Sequence, residues 1–257
     1  MTGVLPVALE DATKVLQALL LTGKEYVCVM QLHGSVSSEV VQQVLSEFVG
    51  EIYQRPPLRS SVKRRIRTRW IYRISFLEMQ ENNVLFSVGC QAGTYIRKLC
   101  HDIGEALGCG AHMRELRRVR TGPFTEEKLS TLYDLADAYA AWAEKGDEFL
   151  LRKLISPMEF GLSLLPKIYI RDSAVDAICH GANLAIPGIV KVETEIKSGD
   201  IVAVFTQKGE AIALAKALLS TEGILDLDHG LATKTERVIM SPGVYPRMWR
   251  SRPKSPR

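Results

Sequence analysis

The chain has 257 residues, 33 Lys and Arg against 29 Asp and Glu, and a formal net charge of +4. At roughly 100–200 residues per domain this is one large domain or two smaller ones. With 46% hydrophobic and 24% charged residues, the composition excludes disordered, collagen-like and disulfide-scaffold chains. No apolar run approaches a membrane span, and the opening Met1-Thr2-Gly3-Val4-Leu5-Pro6, with Glu10-Asp11 close behind, does not read as a secretory signal.

In chain order, residues 9–20 place Ala12, Val15, Leu16 and Leu19 on one face and predict a helix stopped at Gly23. Residues 25–32 alternate through Tyr26, Cys28 and Met30 and predict a strand. Ser37 or Ser38 then caps a helix carrying Val40, Val41, Val44, Leu45 and Phe48, which ends at Gly50. In Gln54-Arg55-Pro56-Pro57-Leu58, consecutive prolines exclude a helix interior or a central strand and predict a stiff, extended segment. Residues 71–79 and 84–90 read as a hairpin. Thr94 is the expected N-cap of a helix with Ile96, Leu99, Cys100, Ile103 and Leu107 inward, closed by Gly108. Residues 128–145 predict another helix. Beyond Pro157–Pro166 the character changes to short strands at 168–170, 189–192, 201–206 and 210–217, punctuated by glycine, the pattern of a small β-barrel. The division expected is a first domain over 1–160, a second over 165–250 and a basic tail over 251–257. The fold class is α+β: a mixed, mainly antiparallel sheet with helices, followed by the barrel.

Five cysteines, an odd number with no Cys-x-x-Cys pair, argue against a disulfide framework or a zinc site and for reduced, buried thiols in a reducing compartment. His101-Asp102 is a tempting acid–base pair, but neighbours on a helix diverge by about 100°, so His101 reads as a structural or surface residue. His33, His112 and His229 show no ligand spacing. No metal is expected.

The charge is more informative in its distribution than in its sum. Between Glu51 and Glu78 lie Arg55, Arg59, Lys63, Arg64, Arg65, Arg67, Arg69 and Arg73 with no acid among them. Arg114, Arg117, Arg118 and Arg120 form a second knot, and Arg247, Arg250, Arg252, Lys254 and Arg257 a third. One such cluster can be a solvated face. Three of them, dominated by the residue best suited to bidentate phosphate contact, point to a polyanionic partner.

Four stretches belong together: Thr2-Gly3-Val4-Leu5-Pro6, Gly23-Lys24-Glu25-Tyr26-Val27, Gln54-Arg55-Pro56-Pro57 with Val62-Lys63-Arg64, and Gly93-Thr94-Tyr95-Ile96-Arg97. The C-terminal third adds Asp172-Ser173-Ala174, His180-Gly181-Ala182 and Pro187-Gly188. In this order they resemble the TruB family of pseudouridine synthases. Tyr245-Pro246-Arg247 with Trp249, and the short basic loop, are similar to its dyskerin-like branch, the catalytic subunits of H/ACA guide-RNA particles. The resemblance implies isomerisation of a flipped-out uridine to pseudouridine, without cofactor. It implies that Tyr26 stacks on the base, that Tyr95 is the second aromatic of the site, that Arg97 pairs with the catalytic aspartate and that Leu116 lines the uracil pocket. The segment from Pro56 to Arg69, with Arg59, Lys63, Arg64, Arg65, Arg67 and Arg69, matches a loop that clamps substrate RNA. The barrel looks like a PUA domain, with His180, Gly181 and Ala182 on the surface that receives the guide RNA. The implied partners are an H/ACA guide RNA, substrate RNA and three small proteins of zinc-ribbon, small β-barrel and kink-turn-binding types, with no membrane. The absence of long lysine-rich tails favours a cytoplasmic, archaeal setting over a nucleolar one.

The family pattern Asp-Pro-x-Val-Thr-Gly is met here only from its valine position, where Met1 stands. Its aspartate belongs three positions before Met1, so the expectation is a chain that starts inside the motif, from a GTG codon read as a start, and that is inactive as given. A standalone tRNA pseudouridine synthase and a non-catalytic RNA-binding scaffold remain the alternatives.

Overall fold

The computed structural model describes residues 2–56, 63 and 65–248. Met1, Arg59 and Arg64 of the expected clamp, and the basic stretch from 249 to 257, lie outside the described residues. The chain divides into two compact units, one of Met1–Val7 and Leu19–Leu154, the other of Ala8–Ala18 and Ile155–Arg257. The expected division kept residues 8–18 with the first domain. In the structure Val15 and Ala18 instead join a core made by the second unit.

The first unit opens with β1 (Thr2–Gly3). The helix predicted over 9–20 is broken: Glu10–Val15 is a 3-10 turn, and only α1 (Leu16–Leu21) is α-helical. There follow β2 (Lys24–Leu32), α2 (Ser38–Glu47) with Ser37 at its N-cap, β3 (Gly50–Gln54), β4 (Arg67–Gln80) and β5 (Asn83–Cys90). Next come α3 (Ile96–Ala106), β6 (Ala111–Thr121), β7 (Phe124–Thr125), α4 (Leu132–Lys145) and α5 (Phe149–Leu154). The sheet has the order β1-β6-β2-β5-β4-β3, with β7 beside β6. Its pairs are antiparallel except β1 with β6.

One face of this sheet is dry. Tyr26, Cys28, Met30 and Leu32 of β2 and Phe86, Val88 and Cys90 of β5 pack with Val41 and Leu45 of α2 and Leu99, Cys100 and Ile103 of α3. Each large side chain so buried contributes about 1.5–3 kcal/mol. The other face carries charge. Glu25 receives Arg73 at 2.7 Å and Arg120 at 2.5 Å, and Arg117 pairs with Glu126.

Three expectations need correction here. Arg67 and Arg69 do not belong to a loop, because β4 begins at Arg67 and pairs with β3, a strand the sequence pattern does not predict. Thr94 is not the cap of α3. Its hydroxyl donates to the Gln91 carbonyl at 2.7 Å, and Tyr95 occupies the N-cap position. The helix expected from 128 starts at Leu132, where a reciprocal capping box between Thr131 and Asp134 sets its first turn.

The second unit contains α6 (Met158–Gly161), β8 (Lys167–Ile170), α7 (Asp172–Cys179), β9 (Leu184–Ala185), β10 (Ile189–Val192), β11 (Ile201–Thr206), β12 (Ala211–Ala217), α8 (Thr221–Leu225) and β13 (Leu231–Val238). Its strands run β10-β8-β11-β12-β13-β9, antiparallel except β8 with β11. Both faces of β11 are buried. Val202 and Val204 join Ile168, Ile170, Val175, Ile178 and Ile212. Ala203 and Phe205 join Val15, Ala18, Leu162 and Ile239. Among the described residues no helix is long and apolar enough to cross a membrane.

Candidate active site and nucleic-acid surface

The site is built around the first residues of β2. A register shift between Glu25 and Tyr26 sets Tyr26 opposite Arg118 of β6, while Val88 of β5 lies on its other side. Tyr26 is only 8% exposed. Burial pushes its phenol up, Cys90 adds to this, and the Arg118 guanidinium opposes it. Burial likewise lowers Lys24 with help from Arg118, and its ammonium donates to the carbonyls of Thr22 at 2.9 Å and Leu20 at 3.2 Å.

Arg118 has a second task. Its Nε donates to the Val4 carbonyl at 2.6 Å, and Val4 N donates to the Arg118 carbonyl at 2.8 Å. Thr2 and Gly3 lie parallel to Arg117 and Arg118. Gly3 has φ +98°, and a Cβ there would come 2.8 Å from Arg118 C and N and closer still to its carbonyl oxygen. Only glycine fits both the conformation and the approach. The Thr2-Gly3 motif is therefore fixed against the residue that faces Tyr26.

Cys90 shares the core of Tyr26 and of the inward residues of α3. Its thiol is raised to about 11 by burial, opposed by the neighbouring Thr94 and by Lys24. One residue beyond Thr94, Tyr95 is half-buried at the N-cap of α3, and Arg97 is exposed in its first turn. There free N–H groups and the helix dipole favour an anion. Leu116, opposite Cys28, is half-buried against the same core.

Sequence reasoning missed Gln54. Its carboxamide, 2% exposed, accepts from Tyr95 N at 2.9 Å and donates to the Tyr95 carbonyl at 3.1 Å. Trp70 and Gln91 make a second bridge. Trp70 N donates to Gln91 Oε1 at 3.1 Å and Gln91 N to the Trp70 carbonyl at 2.8 Å. The Arg69 guanidinium lies over Gly93, 3.1–3.5 Å from where a Cβ would stand. The Nε atoms of Arg67 and Arg69 are buried without a hydrogen-bond partner. Lys63 and Arg65 are exposed.

In the second unit His180 caps α7. Its Nδ1 lies 2.7 Å from the Asp176 carbonyl, while the buried Asp176 carboxylate accepts from Gly243 N at 3.3 Å. Gly181 has φ +87° with nothing within 4 Å of an added Cβ, so conformation alone demands glycine. Ala182 O accepts from the Thr235 hydroxyl at 2.6 Å. His180, Gly181 and Ala182 form an exposed turn.

His101 is exposed, as a surface residue, but it does not diverge from Asp102: its Nδ1 lies 3.5 Å from the carboxylate, which Lys98, one turn earlier, also holds. His33 Nε2 and His112 Nδ1, distant in sequence, meet at 2.8 Å across β2 and β6. Among the described residues no group of three or more His, Cys, Asp or Glu could hold a metal ion. The five cysteines are free.

Comparison with known proteins identifies the family. The N-terminal domain of TruB family pseudouridylate synthases matches residues 1–96, the C-terminal domain of tRNA pseudouridylate synthase B matches 97–163, and the PUA domain matches 166–239. The probable tRNA pseudouridine synthase B of Methanopyrus kandleri is 61% identical over 96% of this chain and 73% of its own. That of Pyrococcus abyssi is 57% identical over 96% and 75%. A Cbf5-Nop10-Gar1 complex matches with TM-score 0.92 and 56% identity over 95% of this chain and 75% of that one. An H/ACA RNP bound to a substrate RNA containing 2'-deoxyuridine matches with TM-score 0.89 and 52% identity over 96% and 75%. The chain belongs to the TruB family of pseudouridine synthases and carries a C-terminal PUA domain.

Proposed function

We propose that the chain holds and orients a uridine within RNA for isomerisation to pseudouridine, at sites chosen by an H/ACA guide RNA, with no residue of this sequence assigned the part of the family's catalytic aspartate. The reaction breaks the C1′–N1 bond, turns the uracil and rejoins C1′ to C5, so the base must leave its stack and be held. Tyr26 receives the flipped base on its ring, Leu116 and Tyr95 complete the pocket wall, and Arg97 orients the family's aspartate. Lys63, Arg65, Arg67 and Arg69 meet RNA phosphates, together with Arg59 and Arg64. The turn of His180, Gly181 and Ala182 receives the guide. The observation that carries this reading is the place of Arg118, which lies opposite Tyr26 in the sheet and holds the Val4 carbonyl, and so joins the base platform to the Thr-Gly end of the motif that bears the acid in this family. Guide dependence is supported by the likeness to an H/ACA RNP and to a Cbf5-Nop10-Gar1 complex, and small proteins of the Nop10 and Gar1 kind are the proposed partners.

The test is binding of a target-bearing RNA with and without guide, across a salt series. Affinity is expected to need the guide and to fall steeply with salt. Changing Lys63, Arg65 and Arg67 to alanine is expected to flatten the log–log slope by about 0.7 for each phosphate no longer neutralised. An unchanged slope returns these cations to a solvated surface. The names of the relatives favour a second reading, a tRNA pseudouridine synthase, and tight binding of unmodified tRNA without guide would support it.

A further inference from the structure

We infer that Gln54 is a positioning residue, which holds the main chain of Tyr95 and ties it to the base of the RNA clamp. The inference rests on the proposed reading of residues 55–69 and Tyr95 as parts of an RNA site. Gln54 is the last residue of β3, immediately before Arg55-Pro56, and its partner in the ladder is Arg67, the first residue of β4. The two strands are therefore the two stems of the clamp, and both are attached to one short turn. The first stem attaches through the two hydrogen bonds of Gln54 to Tyr95, which imitate a peptide–peptide pair in a site that excludes water. The second attaches through the Trp70–Gln91 bridge and the Arg69 guanidinium over Gly93.

Tyr95 caps α3 without a side-chain capping bond, and its carbonyl already accepts from Lys98 N and Leu99 N at 3.1 and 3.0 Å. Gln54 adds a partner for Tyr95 N–H and a further donor to its carbonyl. A displacement of the stems by RNA must therefore move, or be resisted by, the residue that begins α3 and leads to Arg97. Seating RNA in the clamp and setting Tyr95 become one event.

Hydrogen exchange of the whole chain tests this without and with RNA. Without RNA, the Tyr95 amide is expected to be protected, and Gln54→Ala should lower its protection about tenfold, since the N–H loses the acceptor that Gln54 provides. Gln54→Glu keeps the shape and makes the hold titratable. A neutral carboxyl can accept from Tyr95 N–H and donate to its carbonyl, whereas a carboxylate cannot donate and faces that carbonyl. The carboxylate still accepts from Tyr95 N–H, so that amide should stay protected in either form, while the fold favours the neutral carboxyl and the stability of the Gln54→Glu chain should be full at low pH and fall as the carboxyl ionises, with wild type flat over the same range. With RNA, wild type should gain protection at 51–56 and 91–99 together, and Gln54→Ala only at 51–56, with the salt slope of binding unchanged. Full Tyr95 protection in a folded Gln54→Ala chain, or a Gln54→Glu chain whose stability is indifferent to pH, overturns the inference. If wild type binds no RNA, the functional reading fails, while the exchange measured without RNA still judges Gln54.

Discussion

The two sheets differ in how many of their faces are dry. In the second unit β11 and β12 are apolar on both sides, and the 8–18 segment supplies part of the outer layer. In the first unit β2 and β5 are dry only toward α2 and α3, and the opposite face holds Glu25 between Arg73 and Arg120. Antiparallel sheets tolerate one wet face, and the proposed site lies along the line where the buried Tyr26, in one core with Cys90, meets the half-buried Arg118. The second unit exposes its candidate RNA-binding residues on one turn after α7.

The largest test of this contrast is in the cores. Phe86→Ala removes a fully buried ring and is expected to cost about 3–5 kcal/mol, and Ile212→Ala about 2–5 kcal/mol. In urea unfolding followed by tryptophan fluorescence, Phe86→Ala should shift the signal of Trp70 and Trp142, which lie in the first unit. A loss below about 1 kcal/mol would mean that this core is far looser than its burial implies.

Two glycines sharpen the same contrast. Gly3 and Gly181 both have positive φ, but Gly3 is pressed against Arg118 and Gly181 faces open space. Gly181→Ala should cost only the left-handed strain, about 1–2 kcal/mol. Gly3→Ala adds overlap with backbone, about 1–3 kcal/mol more, and should release residues 2–7. Limited proteolysis near the N-terminus, fast for Gly3→Ala and unchanged for Gly181→Ala, is the measurement. Equal effects would remove Arg118 as the anchor of the Thr-Gly motif.

Cys90 offers an alkaline test of the meeting line. Its folded value of about 11 exceeds the ordinary thiol value near ~8.5. The neutral thiol is the form the fold favours, so its contribution is full below pH ~8.5 and is lost as pH rises through about 11, roughly 3 kcal/mol in all. Cys90→Ala should remove that part of the alkaline slope. At neutral pH Cys109, the one half-exposed thiol, should alkylate first, since the other four are buried.

The same contrast governs what could be read from sequence. The strands at 189–192 and 201–206 were legible because apolar residues and glycine turns mark them. β6, which carries Leu116 and Arg118, was not. Its apolar positions are interrupted by Arg114, Arg117 and Arg120, and two register shifts against β2 break the alternation. β3 was hidden for another reason: Glu51 and Tyr53 face outward on a short edge strand and leave no buried run. Tyr26, Tyr95, Arg97 and Leu116 could be named from motifs, yet the residues that hold them could not. Gln54 acts on Tyr95 across 41 positions and Arg118 on Val4 across 114, and neither separation has a local signature. Arg67 and Arg69 were found as charges but misplaced, since a cluster of cations does not say whether it sits on a loop or a ladder.

The smallest expected effect lies at α4, away from the site. Asp134 accepts from both the backbone N–H and the hydroxyl of Thr131, at 2.7 Å each, while Thr131 Oγ1 accepts from Asp134 N. These bonds hold the Asp134 carboxyl below its ordinary value, the Thr131 N–H first among the causes. The carboxylate is thus the form that fits, and its contribution stands above pH ~3.9 and fades as pH falls through the lowered folded value. Thr131→Ala removes the box and should cost about 1 kcal/mol at neutral pH. Because the box is exposed and local, the loss should show as faster exchange in the first turn of α4 with Tyr26 and Tyr95 untouched. If Thr131→Ala also weakens RNA binding, α4 is coupled to the site, and the line drawn between the packing and the working parts of the first unit is in the wrong place.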